Sequence, residues 1–158
     1  VYSEVSVGTV FHVMLPLSAS AGGQGNGEMF NIPVRGSGCI LIIDDEEVLR
    51  ITASEMLADL GYDVLAASNG MDGLAIFEKE SGRIDLVLLD MTMPELNGRE
   101  CFARMRALKP DARIILTSGF AQEADVRQFQ EKGLCGFIRK PYLALDLSQA
   151  IAAALSSK

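Results

Sequence analysis

From Cys39 onward the chain alternates five short apolar runs with five stretches of helical periodicity, and this alternation confines it to the α/β folds. The runs are CILII (39–43), YDVLAA (62–67), IDLVLL (84–89), RIILT (113–117) and CGFIR (135–139). Three are nearly unbroken by polar residues, as expected of parallel strands covered on both faces by helices. The helical stretches fall at about 46–60, 70–80, 98–108, 121–132 and 143–155. In the first, Leu49, Ala53, Met56 and Leu60 share one face and Gly61 terminates it. Short loops with right-handed crossovers then predict an open, doubly wound parallel sheet of five strands with five helices.

In such a sheet, ligands bind outside the carboxyl ends of the strands. Asp44 and Asp45 follow the first strand, Asp90 the third, Thr117 and Ser118 end the fourth, and Lys140 with Pro141 ends the fifth. Singly, each has a plain explanation: an Asp before a helix caps its free N–H groups, and Lys140 could be a solvated strand end. Together they bring three carboxylates, a hydroxyl and an ammonium to one edge. Like-charged carboxylates about 4 Å apart repel by on the order of 4 kcal/mol at an effective dielectric near 20, so the cluster needs cations. One Mg²⁺ and the Lys140 ammonium bring the three carboxylates to neutrality, and oxygen ligation with retained waters suits Mg²⁺. A site so neutralised can accept a phosphoryl group.

The residues before Cys39 are of two kinds. Residues 1–17 hold a β-rich stretch, with Val10, Phe11, Val13 and Leu15 around His12 and Met14, which reads as one strand without a visible partner. Residues 18–37 are rich in Gly, Ser and Ala, the composition of a flexible linker. The α/β domain is therefore expected over 38–158. With 14 basic and 21 acidic residues the net charge is −7, and no basic cluster is present to neutralise nucleic-acid phosphates. No apolar run approaches a membrane span. Cys39, Cys101 and Cys135 are odd in number and widely spaced, so free thiols in a reducing cytoplasm are expected. The start, VYSEVSVG, has neither the basic region nor the apolar core of a signal peptide and no initiator Met, which suggests a fragment of a longer protein.

IIDDEE (42–47), LLDMTMPELNG (88–98), ILTSG (115–119) and FIRKPY (137–142), in that order and at these spacings, resemble the receiver domain of two-component response regulators across about residues 39–156. The resemblance implies a flavodoxin-like sheet of order 2-1-3-4-5 and a phosphoryl group accepted on Asp90 from the phosphohistidine of a histidine kinase or histidine phosphotransfer domain. It implies Mg²⁺ held by Asp45 and Asp90, by Asp44 through water, and by the main-chain carbonyl of Thr92. Lys140 would contact the phosphoryl oxygens, and a switch hydroxyl would come from the fourth strand. There Ser118, followed by the small Gly119, fits better than Thr117, though alternation lets only one face the site. Phe137 matches the aromatic switch position, Pro94 and Gly98 match the turn after the acceptor, and the Lys140–Pro141 bond is cis in relatives.

SEVSVGTVFHVMLP (3–16) looks like the last glycine box and strand of a histidine-kinase ATP-binding domain, with Ser6 where Gly is common. The rest of that domain is missing, so the stretch cannot bind ATP. His12 falls within the apolar strand pattern and is not expected to donate phosphate. Kinase tail, linker and receiver is the order of a hybrid histidine kinase in the cytoplasm. A haloacid-dehalogenase-like phosphatase would carry its nucleophile on the first strand, and a flavodoxin-type binder would need a phosphate loop after it; neither pattern fits as well, and the intact acid pair, Asp90 and Lys140 weigh against a binding module that is never phosphorylated.

Overall fold

The computed structural model describes residues 2–4, 8–10, 33–119 and 123–156. The chain divides into two compact units, Val1–Phe30 and Asn31–Lys158. In the first, β1 (Tyr2–Glu4) pairs antiparallel with β2 (Gly8–Val10), Tyr2 opposite Val10. The strand expected around Val10 thus has a partner, where the sequence suggested none. Phe11 to Leu15, His12 among them, lie outside the described residues, as does most of the expected linker.

The second unit is a five-stranded parallel sheet of β3 (Cys39–Ile43), β4 (Asp63–Ala67), β5 (Ile84–Asp90), β6 (Ile114–Ser118) and β7 (Gly136–Arg139), in the order β4-β3-β5-β6-β7. That is the 2-1-3-4-5 order expected. Helices α1 (Glu47–Asp59), α2 (Gly70–Glu80), α3 (Gly98–Leu108), α4 (Glu123–Glu131) and α5 (Ala144–Ser156) alternate with the strands. Every residue of β3 and β6 is buried, which is why both read as apolar runs rather than alternating ones.

Strand alternation sorts the core into two layers. Cys39, Leu41, Ile43, Val87, Leu89, Ile114 and Leu116 pack with Leu74, Phe77, Phe102, Met105 and Phe129 of α2, α3 and α4. Ile40, Ile42, Leu86, Leu88, Ile115 and Ile138 pack with Ala53, Leu57, Leu147 and Ile151 of α1 and α5. On α1 the deepest residue is Leu57, fully buried, which was not among the residues expected to form its inner face. Two steps beyond Ile42, Leu88 and Ile138 come Asp44, Asp90 and Lys140, so three polar groups continue the α1–α5 rows at the carboxyl edge. The helices that follow are fixed locally. Asn69 and Asn97 precede α2 and α3 and accept from the N–H groups of Asp72 (2.8 Å) and Glu100 (3.0 Å).

The chain reaches β3 already attached to the sheet unit. Gly36 N–H donates to the Leu60 carbonyl at 3.0 Å, and Asp63 N–H to the Gly38 carbonyl at 2.9 Å. The Arg35 guanidinium reaches the Asp59 carbonyl at 2.9 Å. A Cβ on Gly36 would run into the hydroxyl of the buried Tyr62. Arg35 and Gly36, expected within a flexible linker, are seated against the end of α1 and the start of β4.

Candidate functional site

The carboxyl edge of the sheet gathers the expected residues. Asp90 ends β5, whose carboxyl end is tied to β6 by Met91 N–H donating to the Thr117 carbonyl at 3.0 Å. β6 is tied to β7 by Lys140 N–H donating to the Ser118 carbonyl at 2.9 Å. The turn after Asp90 is shaped by Glu95, at φ 63°, and by Gly98, whose N–H donates to the Met91 carbonyl at 3.2 Å. A Cβ on Gly98 would collide with the Asp90 carbonyl oxygen. The need for glycine here is close backbone approach, while the left-handed conformation falls on Glu95.

Lys140 Nζ donates to Asp90 Oδ2 at 2.9 Å and pairs with Asp44 Oδ2 at 2.8 Å. The other oxygens of the two buried carboxylates accept from the main chain. Asp90 Oδ1 accepts from Thr92 N–H at 3.2 Å and Asp44 Oδ1 from Glu46 N–H at 3.0 Å. Asp45 is exposed, and one carboxylate oxygen from each of Asp44, Asp45 and Asp90 lies within 4.8 Å of the others. Asp45, Asp90, Thr92 and Lys140 line a cleft of about 390 Å³ with Glu46, Leu49, Gly119 and Pro141. The Lys140–Pro141 bond is cis.

Burial pushes the Asp90 carboxyl above the usual carboxylate range, and the bonds from Lys140 and from Thr92 N–H oppose it without cancelling it. Burial alone would lower the Lys140 ammonium, but its bonds to Asp44 and Asp90 outweigh that and raise it. Lys140 is therefore charged throughout the physiological range. Burial also raises the phenol of Tyr142, and Asp44 adds to the effect.

The donor set suits a hard divalent cation. It is all oxygen and carries three negative charges, and its one exposed carboxylate leaves room for retained waters, as Mg²⁺ prefers. Both candidate switch hydroxyls are buried. Thr117 is in register with Asp90 and Ile138, while Ser118 stands one step nearer the edge beside Gly119, which lines the cleft. Ser118 shares a strand face with Leu116, and half-buried Phe137 packs on the same layer. The sequence did not single out Arg50, whose guanidinium bonds the carbonyls of Asp44 (2.8 Å) and Asp45 (3.5 Å) and braces the acid pair from α1. Nor did it single out Glu46, 3.6 Å from Lys140. Their one sequence signal was position, within a turn and a half of the acid pair at the start of a helix. Cys39 and Cys101 are buried and Cys135 exposed, all three as free thiols.

Fold and site define a class: a doubly wound parallel α/β domain holding a carboxylate between an acid pair and a lysine at the carboxyl edge of its sheet. Residues 40–152 match the response regulator receiver domain, and the chain belongs to that family. It is a phosphoacceptor module of two-component signalling. It is 29% identical over 157 residues to the sensor kinase CckA of Brucella abortus (strain 2308), a match covering 94% of this chain and 17% of that kinase. The chain thus spans less than a fifth of that relative's length. It is 33% identical over 112 residues to sporulation initiation phosphotransferase F of Bacillus subtilis (strain 168), covering 71% of this chain and 89% of that one. A chain of the CheX-CheY-BeF3-Mg²⁺ complex from Borrelia burgdorferi superposes with a TM-score of 0.74 at 25% identity, covering 76% of this chain and 90% of that chain. Among the described residues no helix is long and apolar enough to cross a membrane.

Proposed function

We propose that Asp90 is the phosphoacceptor and that the donor is a phosphohistidine on a histidine kinase or a histidine phosphotransfer domain. One observation carries this reading: Lys140 bridges Asp90 and Asp44 beside the exposed Asp45 in an open cleft. An Asp90 carboxylate oxygen attacks phosphorus, the P–N bond breaks, and its electron pair stays with the departing imidazole. The product is an acyl phosphate. Thr92 N–H and Lys140 orient the carboxylate, and Lys140 then meets the phosphoryl oxygens. Asp45, Asp90, the Thr92 carbonyl and, through water, Asp44 would hold Mg²⁺, which neutralises charge on the transferring group.

Ser118, with Thr117 as the alternative, would bond a phosphoryl oxygen, and Phe137 would follow. The two would bias the face of α4, β7 and α5 between two arrangements. The long match to a sensor kinase supports the order of kinase tail (1–17), linker (18–37) and receiver (38–158) in a cytoplasmic hybrid histidine kinase. Incubation with Mg²⁺ and acetyl phosphate, followed by intact-mass measurement, tests the acceptor. One phosphoryl group should appear, be lost in hydroxylamine and be prevented by EDTA. Labelling of Asp90→Asn as fast as the parent would refute the assignment.

A further inference from the structure

Among the described residues, three carboxylates face the Lys140 ammonium. Besides Asp44 at 2.8 Å and Asp90 at 2.9 Å, Glu46 Oε1 lies 3.6 Å from Nζ. They differ in what else they touch. Asp44 and Asp90 are buried and form, with Asp45, the oxygen cluster suited to a cation; Glu46 stands outside that cluster, with its side chain 62% exposed. Glu46 immediately precedes α1, yet its side chain makes no capping bond there. Its carboxylate lines the cleft and is directed to Lys140 instead.

An ammonium carries three N–H donors and no acceptor. A divalent cation bound to Asp90 directly and to Asp44 through water competes with Lys140 for the same lone pairs, and a phosphoryl group on Asp90 does so again. In either state the ammonium has to redirect a proton without leaving the cleft. Among the described residues, Glu46 is a carboxylate within reach of Lys140 that stands outside the cation cluster.

We propose that Glu46 is a positioning residue for Lys140. It shares the ammonium with Asp44 and Asp90 in the resting protein and retains it at the cleft mouth when a cation occupies the buried carboxylates, which eases cation binding. This rests on the reading of Asp44, Asp45 and Asp90 as a divalent-cation site. Without Glu46, Lys140 pairs more fully with Asp44 and Asp90, and the cation must displace it from both.

The test is a titration of the whole chain with MgCl₂, read as the apparent affinity from thermal melts, without any phosphodonor. Glu46→Gln should weaken the affinity by about two- to fivefold, the size of an exposed ion pair. Glu46→Asp keeps the charge but is a methylene shorter, and should weaken it similarly. In a Lys140→Met background, Glu46→Gln should lose most of its effect. Equal weakening in both backgrounds would overturn the proposal, because Glu46 would then act on the cation through its own charge. So would parent-like affinity in Glu46→Asp, an outcome that decides the matter even if Lys140→Met does not fold. A parent that ignores Mg²⁺ would remove the cation-site reading and this proposal together, whereas a parent that responds beside an unaffected Glu46→Gln would remove Glu46 alone.

Discussion

Asp90 sits where burial and pairing act against each other, and burial prevails: its carboxyl is raised from 3.8 despite the bond from Lys140. A carboxyl raised on folding contributes stability that is fully present below the unfolded value and lost as pH climbs through the folded one. Above that, ionised Asp90 costs stability that Asn does not. In metal-free buffer the melting temperature of Asp90→Asn minus that of the parent should therefore grow as the pH rises above about 4. A difference that is flat or shrinks would show that pairing with Lys140 governs the ionisation. Asp45, exposed beside two buried carboxylates, is the milder case. Asp45→Ala should raise the metal-free melting temperature by about 1–3 °C, as expected for relief of a screened repulsion, and should abolish the response to Mg²⁺. A lower melting temperature would mean that Asp45 makes a stabilising contact. Asp44 and Asp90 were legible in the sequence because each closes a buried apolar run. Lys140, after the half-buried β7 and the exposed Arg139, was legible from its place at the end of the fifth β-type run beside Pro141. Glu46 and Arg50 were not, since their partners are set by how α1 leaves β3, which no spacing records. Thr117 and Ser118 stayed ambiguous because both are buried and adjacent, and a strand end can turn either toward the cleft.

At the scale of elements, the strands were read to within about a residue, because β3, β5 and β6 are buried on both faces and tolerate few polar residues. The inner face of α1 was misjudged by omitting Leu57, since a 3.6-residue period does not say which of two neighbours points deepest. The β1–β2 pairing escaped notice because Tyr2–Glu4 is only three residues long and carries no alternation. The turn between β5 and α3 makes a specific demand. Gly98→Ala places a methyl against the Asp90 carbonyl, so it should cost about 1–3 kcal/mol in urea denaturation, as overpacking does. It should also slow labelling by acetyl phosphate. An Ala variant as stable as the parent would mean that the turn yields freely. Composition alone assigned 18–37 to a linker, yet Arg35 and Gly36 are bonded to the end of α1. We expect removal of residues 1–32 to leave the melting temperature nearly unchanged. Removal of 1–37 should lower it by several degrees, since two lost hydrogen bonds are worth about 1–3 kcal/mol. Equal melting temperatures for the two truncations would show that this attachment contributes nothing.

Across the whole molecule, the acidic cluster links stability to its ligand. A ligand at 100 times its dissociation constant adds about 2.7 kcal/mol. Millimolar Mg²⁺ should therefore raise the melting temperature of the parent by several degrees, and EDTA should reverse the shift. A curve indifferent to Mg²⁺ would leave the three carboxylates without the cation that their charge calls for. The parallel sheet has a further consequence. Because all five strands run the same way, their starts share one pole and the Asp90 cleft occupies the other. The chain enters β3 at the first pole, and α5 returns there, its Ala154 lining a cavity with Ile84, Arg113 and Cys135. The entry into β3 and the aspartate cleft thus sit at opposite ends of the sheet, about 17 Å apart for a five-residue strand. A donor that reaches the aspartate therefore approaches the pole where the strands end, while the residues leading into β3 join the sheet at the pole where they begin.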